Sequence, residues 1–255
     1  MLLAGSALKG YAIEASDGRV GTVTDLLFDD SSWKIRWIVV NTGTWLAARK
    51  VLVHPSAVTR PDHERQELSV ALSRHQIEES PSIFQDQPVS RQIENSLYDH
   101  FGWDPRWGGA NFGGGGIASP LSAPPYFGTS VLREHENPGL IDDEGDPHLR
   151  SIAEVIGYHI LAGDGEAGHI ENLLIEDTTW DIRYLIVDTS NWWLGKHVLI
   201  SPYAVSKISY TDRQIVIDVD RDKIKSSPPW DPIAMIDTYY EKRLHRHYGW
   251  RGYGW

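Results

Sequence analysis

Short apolar runs separated by turn residues dominate the first part of the chain. Tyr11–Ala15 and Val20–Phe28 flank Asp17-Gly18, a pair typical of two-residue hairpin turns because both central positions need a positive φ. Ile35–Val40 is β-branched and apolar on both faces, which predicts a buried strand. Two further short runs follow, with a turn predicted at 61–64: Val51–Val53 and Leu68–Leu72. Five or six short strands with close turns predict a closed or nearly closed β-barrel, since closure removes exposed sheet edges.

The hydrophobic period then changes from strand-like to helical. Val89, Ile93, Leu97 and Phe101 recur every four residues, and Pro88 precedes them at a position that suits the first turn of a helix. A shorter helical turn is predicted before each long helix and is closed by Ser-Pro, at Arg74–Glu79 and at Asp222–Ser226. The second long helix carries the matching apolar positions Ile236, Tyr240, Leu244 and Tyr248.

The whole pattern occurs twice. Residues 10–103 align without a gap to residues 157–250 at a constant shift of 147, and 30 of the 94 aligned positions are identical. We call two residues related by this shift twins. The duplication predicts two domains, 1–103 and 148–255, each an autonomous closed sheet with its own helices, joined by a linker at 104–147 that is rich in Gly, Pro and acidic residues. We expect part of that aromatic-containing linker to lie against one barrel.

Composition and charge exclude several classes of partner. The formal net charge of −11 argues against nucleic acid and anionic lipid, which need clustered Lys and Arg. The chain has no Cys, so disulfides and thiolate metal sites are excluded. The N-terminus does not resemble a secretory signal, and no apolar stretch approaches the length of a membrane span. We therefore expect a cytoplasmic protein that does not insert into a membrane.

The repeated segments resemble the PRC-barrel family. The resemblance lies in GYAIEASDGRVGTVTDLLFDDSSWKIRWIVV and KVLVHPSAV of the first half, and in GYHILAGDGEAGHIENLLIEDTTWDIRYLIVDTSNWWLGKHVLISPYAV of the second. That family includes the cytoplasmic barrel of the photosynthetic reaction-centre H subunit and the C-terminal domain of the ribosome-maturation factor. The tandem form, with HYGW-like ends to its halves, is similar to PRC-barrel proteins of bacteria. The resemblance implies a mainly β fold, in which two small PRC-type barrels each precede a short and a longer amphipathic helix. It also implies docking on other proteins and no catalytic residues.

A glycine motif invites comparison with dinucleotide-binding sites. Residues 163–168 match G-x-G-x-x-G after a predicted strand. In the first half, the segment that follows the corresponding turn is rich in β-branched residues and is predicted to be a strand, whereas a phosphate-binding site needs a helix N-terminus there. We therefore interpret Gly18 and Gly165 as hairpin residues. Gly21 and Gly168 are interpreted as marking a bulge or a close backbone approach. We expect no cofactor.

Two pairs of acids leave a metal site open. Asp29-Asp30 and Glu176-Asp177 could bind Ca²⁺ or Mg²⁺ through their oxygens, or could serve as an acid/base pair. The favoured interpretation is turn chemistry, because Asp, Ser and Thr hydrogen-bond their own backbone in tight turns. Arg36 and Arg183 lie inside apolar strands, and each is expected to pair with a carboxylate, Asp30 and Asp177 being candidates. An anionic ligand is the alternative for these arginines.

Tryptophans are the candidates for an interface. The tryptophans that occur in both halves could pack each barrel against its helix, whereas tryptophans in turns would suit a docking surface. The candidates are Trp33, Trp45, Trp180, Trp192 and Trp193.

Three interpretations of function result. The leading one is a non-enzymatic assembly module that docks on a protein partner or self-associates, a homodimer included. The second is a small-ligand or metal-ion sensor with its site between the barrels, using Asp30/Asp177, Arg36/Arg183 or His100/His247. The third is a factor related to the assembly of photosynthetic reaction centres or to ribosome maturation. No catalytic constellation repeats or converges, so we expect no enzyme.

Overall fold

Among the residues that the structure describes, the first half forms seven strands and two α-helices. A computed structural model describes residues 1–81, 91–103, 146, 148–190, 197–231 and 236–254. The elements of the first half are β1 (Leu2–Ala4), β2 (Ala12–Ala15), β3 (Gly18–Asp29), β4 (Lys34–Asn41), β5 (Lys50–Val53), β6 (Val58–Asp62), β7 (Glu67–Val70), α1 (Arg74–Glu78) and α2 (Arg91–Phe101).

The second half repeats this order. Its elements are β8 (Leu149–Ser151), α3 (Ile152–Val155), β9 (His159–Ala162), β10 (Gly165–Glu176), β11 (Ile182–Asp188), β12 (His197–Ile200), β13 (Val205–Ser209), β14 (Gln214–Ile217), α4 (Arg221–Lys225) and α5 (Thr238–Tyr248). No helix in the described ranges is both long and apolar enough to span a lipid bilayer.

Each half forms one sheet with the same strand path. The path is β5-β4-β3-β2-β7-β6 in the first half and β12-β11-β10-β9-β14-β13 in the second. Neighbours are antiparallel except for the parallel pairs β2–β7 and β9–β14. Within the described part of the chain no ladder joins β5 to β6 or β12 to β13, so each barrel keeps an open seam. The predicted mainly β, duplicated fold is confirmed.

The predicted elements differ from the observed ones in a few places. The turn predicted at 61–64 begins later, because Pro61 and Asp62 belong to β6. Proline is tolerated there since β6 is an edge strand, and its missing N–H costs no ladder bond. The predicted start of the first long helix at Pro88 and the linker expectation for 104–145 lie outside the described residues.

The two halves exchange their first strands. β1 pairs antiparallel with the end of β10 in the other half, and β8 pairs in the twin register with the end of β3. Gly5 leaves room for its twin Ile152, whose Cδ1 would lie 3.1 Å from a Cβ at position 5. Each sheet is thus completed by its neighbour, and the expectation of autonomous halves is wrong. The hydrophobic pattern of a short strand does not record which of two equivalent sheets it joins.

Twin turns meet at the centre of this exchange. The backbone N–H of Ile35 donates to the carbonyl of Trp180 over 2.9 Å, and that of Ile182 donates to the carbonyl of Trp33 over 2.8 Å. Both tryptophans have a positive φ, 57° and 61°. A bulky residue adopts this conformation only where its surroundings impose it. The reciprocal pair of hydrogen bonds supplies that restraint and defines a pseudo-twofold axis.

The apolar core is continuous across the junction. One cluster of buried residues includes Leu8 and Phe28 of the first half together with Ile152 and Ile175 of the second. A smaller cluster around Trp37 and Leu97 packs α2 on the first sheet. The halves therefore share buried apolar surface as well as strands, and burial of such surface is the main stabilising contribution in folding.

Two twin glycines lie where strands approach closely. A Cβ on Gly21 would overlap the carbonyl oxygen of Asn41, and one on Gly168 would overlap that of Asp188. We predict that Gly21→Ala and Gly168→Ala each lower the free energy of unfolding by about 2–4 kcal/mol, because backbone atoms cannot yield as side chains do. Urea unfolding followed by tryptophan fluorescence measures the change.

The matched control is Gly163→Ser, which installs the residue found at its twin, Ser16. A Cβ there meets only the flexible carboxylate of Asp220, at 3.1 Å. We expect a change below about 1 kcal/mol. Equal losses for all three variants would contradict the close-approach explanation.

Candidate functional site

A groove of about 1060 Å³ opens at the junction of the two halves. One wall comes from the Trp33 turn and from β8, and the other comes from β11, β13 and residues 251–254. Tyr203 in this groove is one of the few large hydrophobic residues that are exposed among those the structure describes, with 37 % of its surface accessible. The groove is therefore built by strand exchange, since β8 belongs to the second half but pairs with the first.

Three arginines of the groove lie over tyrosine rings. The distances from the guanidinium carbon to the ring centroid are 3.5 Å for Arg150 over Tyr210, 3.8 Å for Arg183 over Tyr253 and 4.8 Å for Arg251 over Tyr203. Tyr203 and Tyr253 also stack on each other, with centroids 5.2 Å apart. Such contacts are worth about 0.5–1 kcal/mol each at exposed sites. They hold the rings and the cations in defined positions beside the groove.

The second acid of each predicted pair crosses the junction. Asp30 accepts from Arg150 Nε over 3.2 Å and from the Tyr210 hydroxyl, and it lies 2.8 Å from His148 Nδ1. Asp177, its twin, contacts the N-terminal amino group and lies 3.0 Å from Nε2 of His63, the twin of Tyr210.

The pKa of Asp177 reflects these contacts. Burial by itself raises it, but hydrogen bonds from the amino group of Met1 and from His63 hold it below the usual value. Asp30 and Asp177 thus each hold the two halves together through ion pairs and hydrogen bonds.

The first acid of each pair binds the strand arginine. Asp29 Oδ1 accepts from two following backbone N–H groups, 3.0 and 2.8 Å away, and Asp29 Oδ2 lies 3.3 Å from Arg36. Arg36 also donates to Asp146 over 2.7 Å. In the second half, Arg183 donates to Glu176 over 2.7 Å. The arginines therefore pair with Asp29 and Glu176, whereas we expected Asp30 and Asp177. Across the described ranges, no group of three or more His or carboxylate side chains has a metal-binding arrangement.

A buried polar network joins Arg183 to the last helix. Arg183 donates to Glu241 over 3.0 Å, and the Tyr184 hydroxyl lies 2.9 Å from the same carboxylate oxygen. His245 Nδ1 lies 2.6 Å from the Arg251 carbonyl, which can only accept, so this nitrogen carries a proton. Burial lowers the pKa of His245, and its Nε2 lies 2.8 Å from the Tyr184 hydroxyl, which donates its proton to Glu241. The network fixes α5 and the groove residue Arg251 relative to the barrel.

The first half places a histidine where the second has a serine. His54 is fully buried, with Nδ1 2.7 Å from the Ser56 hydroxyl, and its ring packs against Trp37 and Trp103. Burial, with smaller contributions from the charges of Arg36 and Lys34, lowers the pKa of His54 to about 3. His54 could not be singled out from the sequence, because the position of a histidine after a strand reveals neither its burial nor its partners.

The tryptophan candidates have different environments. Trp33 and Trp180 belong to the internal junction, and only the former lines the groove. Trp45 is partly buried, and its indole N–H donates to the Val20 carbonyl. The guanidinium carbon of Arg74 lies over the Trp45 ring, 4.4 Å from its centroid. Trp192 and Trp193 lie outside the described residues.

The remaining predicted residues are placed outside the groove. Gly18 and Gly165 close hairpins with φ of 134° and 140°. His100 and His247 each contact a backbone carbonyl of the preceding short helix, Gln76 and Lys223, at 2.9 and 2.8 Å. Of the sensor candidates, only Asp30 and Arg183 line the groove.

Most of the groove residues were not among the candidates predicted from the sequence. They include Arg150, Tyr203, Tyr210 and Arg251. A usable signal was present, because the described twins of the first three differ in chemistry, namely Leu3, Ser56 and His63. Divergence between duplicated halves marks surfaces that no longer serve the shared scaffold.

The buried His54 predicts a dependence of stability on pH. Its folded pKa of about 3 lies below the ordinary value of 6.5, so the stabilisation is present above pH 6.5 and is lost as the pH falls towards 3. Between pH 7 and pH 5, we expect the free energy of unfolding of the wild type to fall by about 2 kcal/mol more than that of His54→Asn. Denaturant unfolding at both pH values measures it, and equal losses in the two proteins would contradict a neutral buried histidine.

Comparison with known proteins supports the same fold. The PRC-barrel domain model matches residues 2–64 and 147–224, which together make up more than half of the chain. Among curated proteins, none matches the sequence. The first matched segment contains β1 to β6 and the second contains β8 to β14, so both exchanged strands are included and β7 lies just outside the match. The chain belongs to the PRC-barrel family and carries its domain twice.

Proposed function

We propose that this protein is a non-enzymatic docking module whose binding surface is the groove between its two PRC barrels. The observation that carries the proposal is the set of three arginine–tyrosine stacks along this groove. Tyrosine and arginine are the residues enriched at the energetic centres of protein interfaces. Because the rings are already held by their neighbours, binding costs little side-chain entropy.

The acids of the groove support a binding role over a catalytic one. Asp30 is engaged by Arg150 and Tyr210, and Glu176 is engaged by Arg183. A carboxylate whose oxygens are occupied by such partners is oriented away from general acid or base work. The partner is a second protein or another copy of this chain.

The test compares a groove variant with a twin control. Tyr203→Ala combined with Arg251→Ala removes one stack, whereas Ser56→Ala changes the twin of Tyr203 in the other half. We expect a partner recovered from native cells, or self-association in analytical ultracentrifugation, to weaken at least about tenfold in the double variant. Ser56→Ala should bind as the wild type does.

Two results together would overturn the proposal. They are a strictly monomeric chain and a set of captured proteins that is the same for all three forms. Retention of a partner by the wild type and by Ser56→Ala, with loss by the double variant, supports it.

A small-ligand sensor is the second candidate, because the groove volume of about 1060 Å³ is at the upper end of small-molecule sites. This candidate predicts that an anion, a quinone or a divalent cation raises the melting temperature of the wild type, since such a ligand binds only the folded state. Arg251→Gln should reduce the shift given by an anion. A thermal-shift screen that is flat for all three classes removes the sensor.

A further inference from the structure

One wall of the groove is the free edge of a sheet. β13 is the last strand of its path and is paired only with β14 among the described residues. Four consecutive residues of this strand, 205–208, line the groove. An edge strand presents backbone N–H and C=O groups that can pair with an added strand. The groove therefore offers a backbone template as well as side chains.

The twin strand shows which way this template faces. Ile208 pairs with Ile215 in β14, and its twin Pro61 pairs with Leu68 in β7 in the same register. Proline has no N–H and is accepted within a strand only where that group would point away from the neighbouring strand. The N–H of Ile208 accordingly faces the open side of β13. The same edge of the first half is blocked by Pro61.

The charges of the groove indicate which kind of strand would bind at the β13 edge. Its lining contains four Lys or Arg side chains and three Asp or Glu side chains, a local balance of +1 in a chain whose net charge is −11. Lys207 lies on β13 itself and is exposed. A second copy adding its own β13 through the strand centre would place two Lys207 side chains together, which is unfavourable. Acidic side chains on the added strand would instead meet Lys207 and Arg251.

We propose that β13 accepts an extended acidic segment of a partner protein as an additional strand. This inference rests on the proposed docking function and specifies its chemistry. Backbone hydrogen bonds to the β13 edge would provide affinity, and alternate side chains of the segment would face the tyrosines and the cations of the groove.

The probe is a fluorescein-labelled peptide of about eight residues with alternating Val and Glu, compared with its Val and Lys counterpart by fluorescence anisotropy. We expect the acidic peptide to bind the full-length protein at least about tenfold more tightly than the basic one. Ile208→Pro should weaken binding of the acidic peptide at least about tenfold, because it removes an edge N–H. The matched control, Pro61→Ile, changes the twin strand and should bind as the wild type does.

A second measurement needs no change in the protein. The acidic peptide N-methylated at alternate residues keeps its charges but loses backbone donors, so it should not bind the wild type even if Ile208→Pro fails to fold. Equal binding of the methylated and unmethylated peptides, or equal affinity for the acidic and basic peptides, overturns the inference. A dimer of this chain that dissociates in Ile208→Pro would also overturn it, by identifying a second copy as the occupant.

The two proposals fail in different ways. A natural partner that is lost on Tyr203→Ala with Arg251→Ala but is retained by Ile208→Pro overturns strand addition and leaves docking at the groove in place. Associations that none of these substitutions changes overturn both.

Discussion

The structure depends on the pairing of each half with the first strand of the other. β1 completes the second sheet and β8 completes the first, so neither sheet has all its strands within one continuous half. The Trp33 and Trp180 turns bond to each other across the pseudo-twofold axis and are held in a conformation that bulky residues avoid. The relative position of the barrels is therefore fixed by backbone hydrogen bonds and by a shared core.

Fixed geometry is what gives the junction a usable surface. The groove takes residues from both sides of the exchange, and its arginines and tyrosines are held by stacking, by Asp30 and by the buried Arg183–Glu241 network. A preorganised surface of this kind binds at low entropic cost. The two halves differ at the corresponding positions, with Ser56 and Pro61 in the first half where the second has Tyr203 and Ile208. Duplication kept the scaffold and freed one copy of the surface to change.

Much of the scaffold could be predicted from residues alone. Asp17-Gly18 and Asp164-Gly165 marked hairpins, Ile35–Val40 marked a buried strand, and the four-residue spacing ending at Tyr248 marked the last helix. These features depend on contacts close in sequence or on burial, which a hydrophobic pattern records directly. The acids and arginines were predicted to be structural residues, but the carboxylate predicted for each arginine lies one position after the observed partner in the sequence. Strand register and bulges decide which neighbouring carboxylate faces a guanidinium, and the sequence does not record them.

The sequence by itself determined the duplication, the succession of short strands followed by a short and a longer helix in each half, and the positions where glycine or a turn is required. These follow from local sterics and from the periodicity of apolar residues. Only the tertiary structure decided that the halves exchange strands, that His54 and His245 are buried, and that Arg150, Arg183 and Arg251 meet tyrosines in one groove. The choice of sheet for β1 and β8 rests on contacts between residues far apart in the sequence, which no single segment encodes.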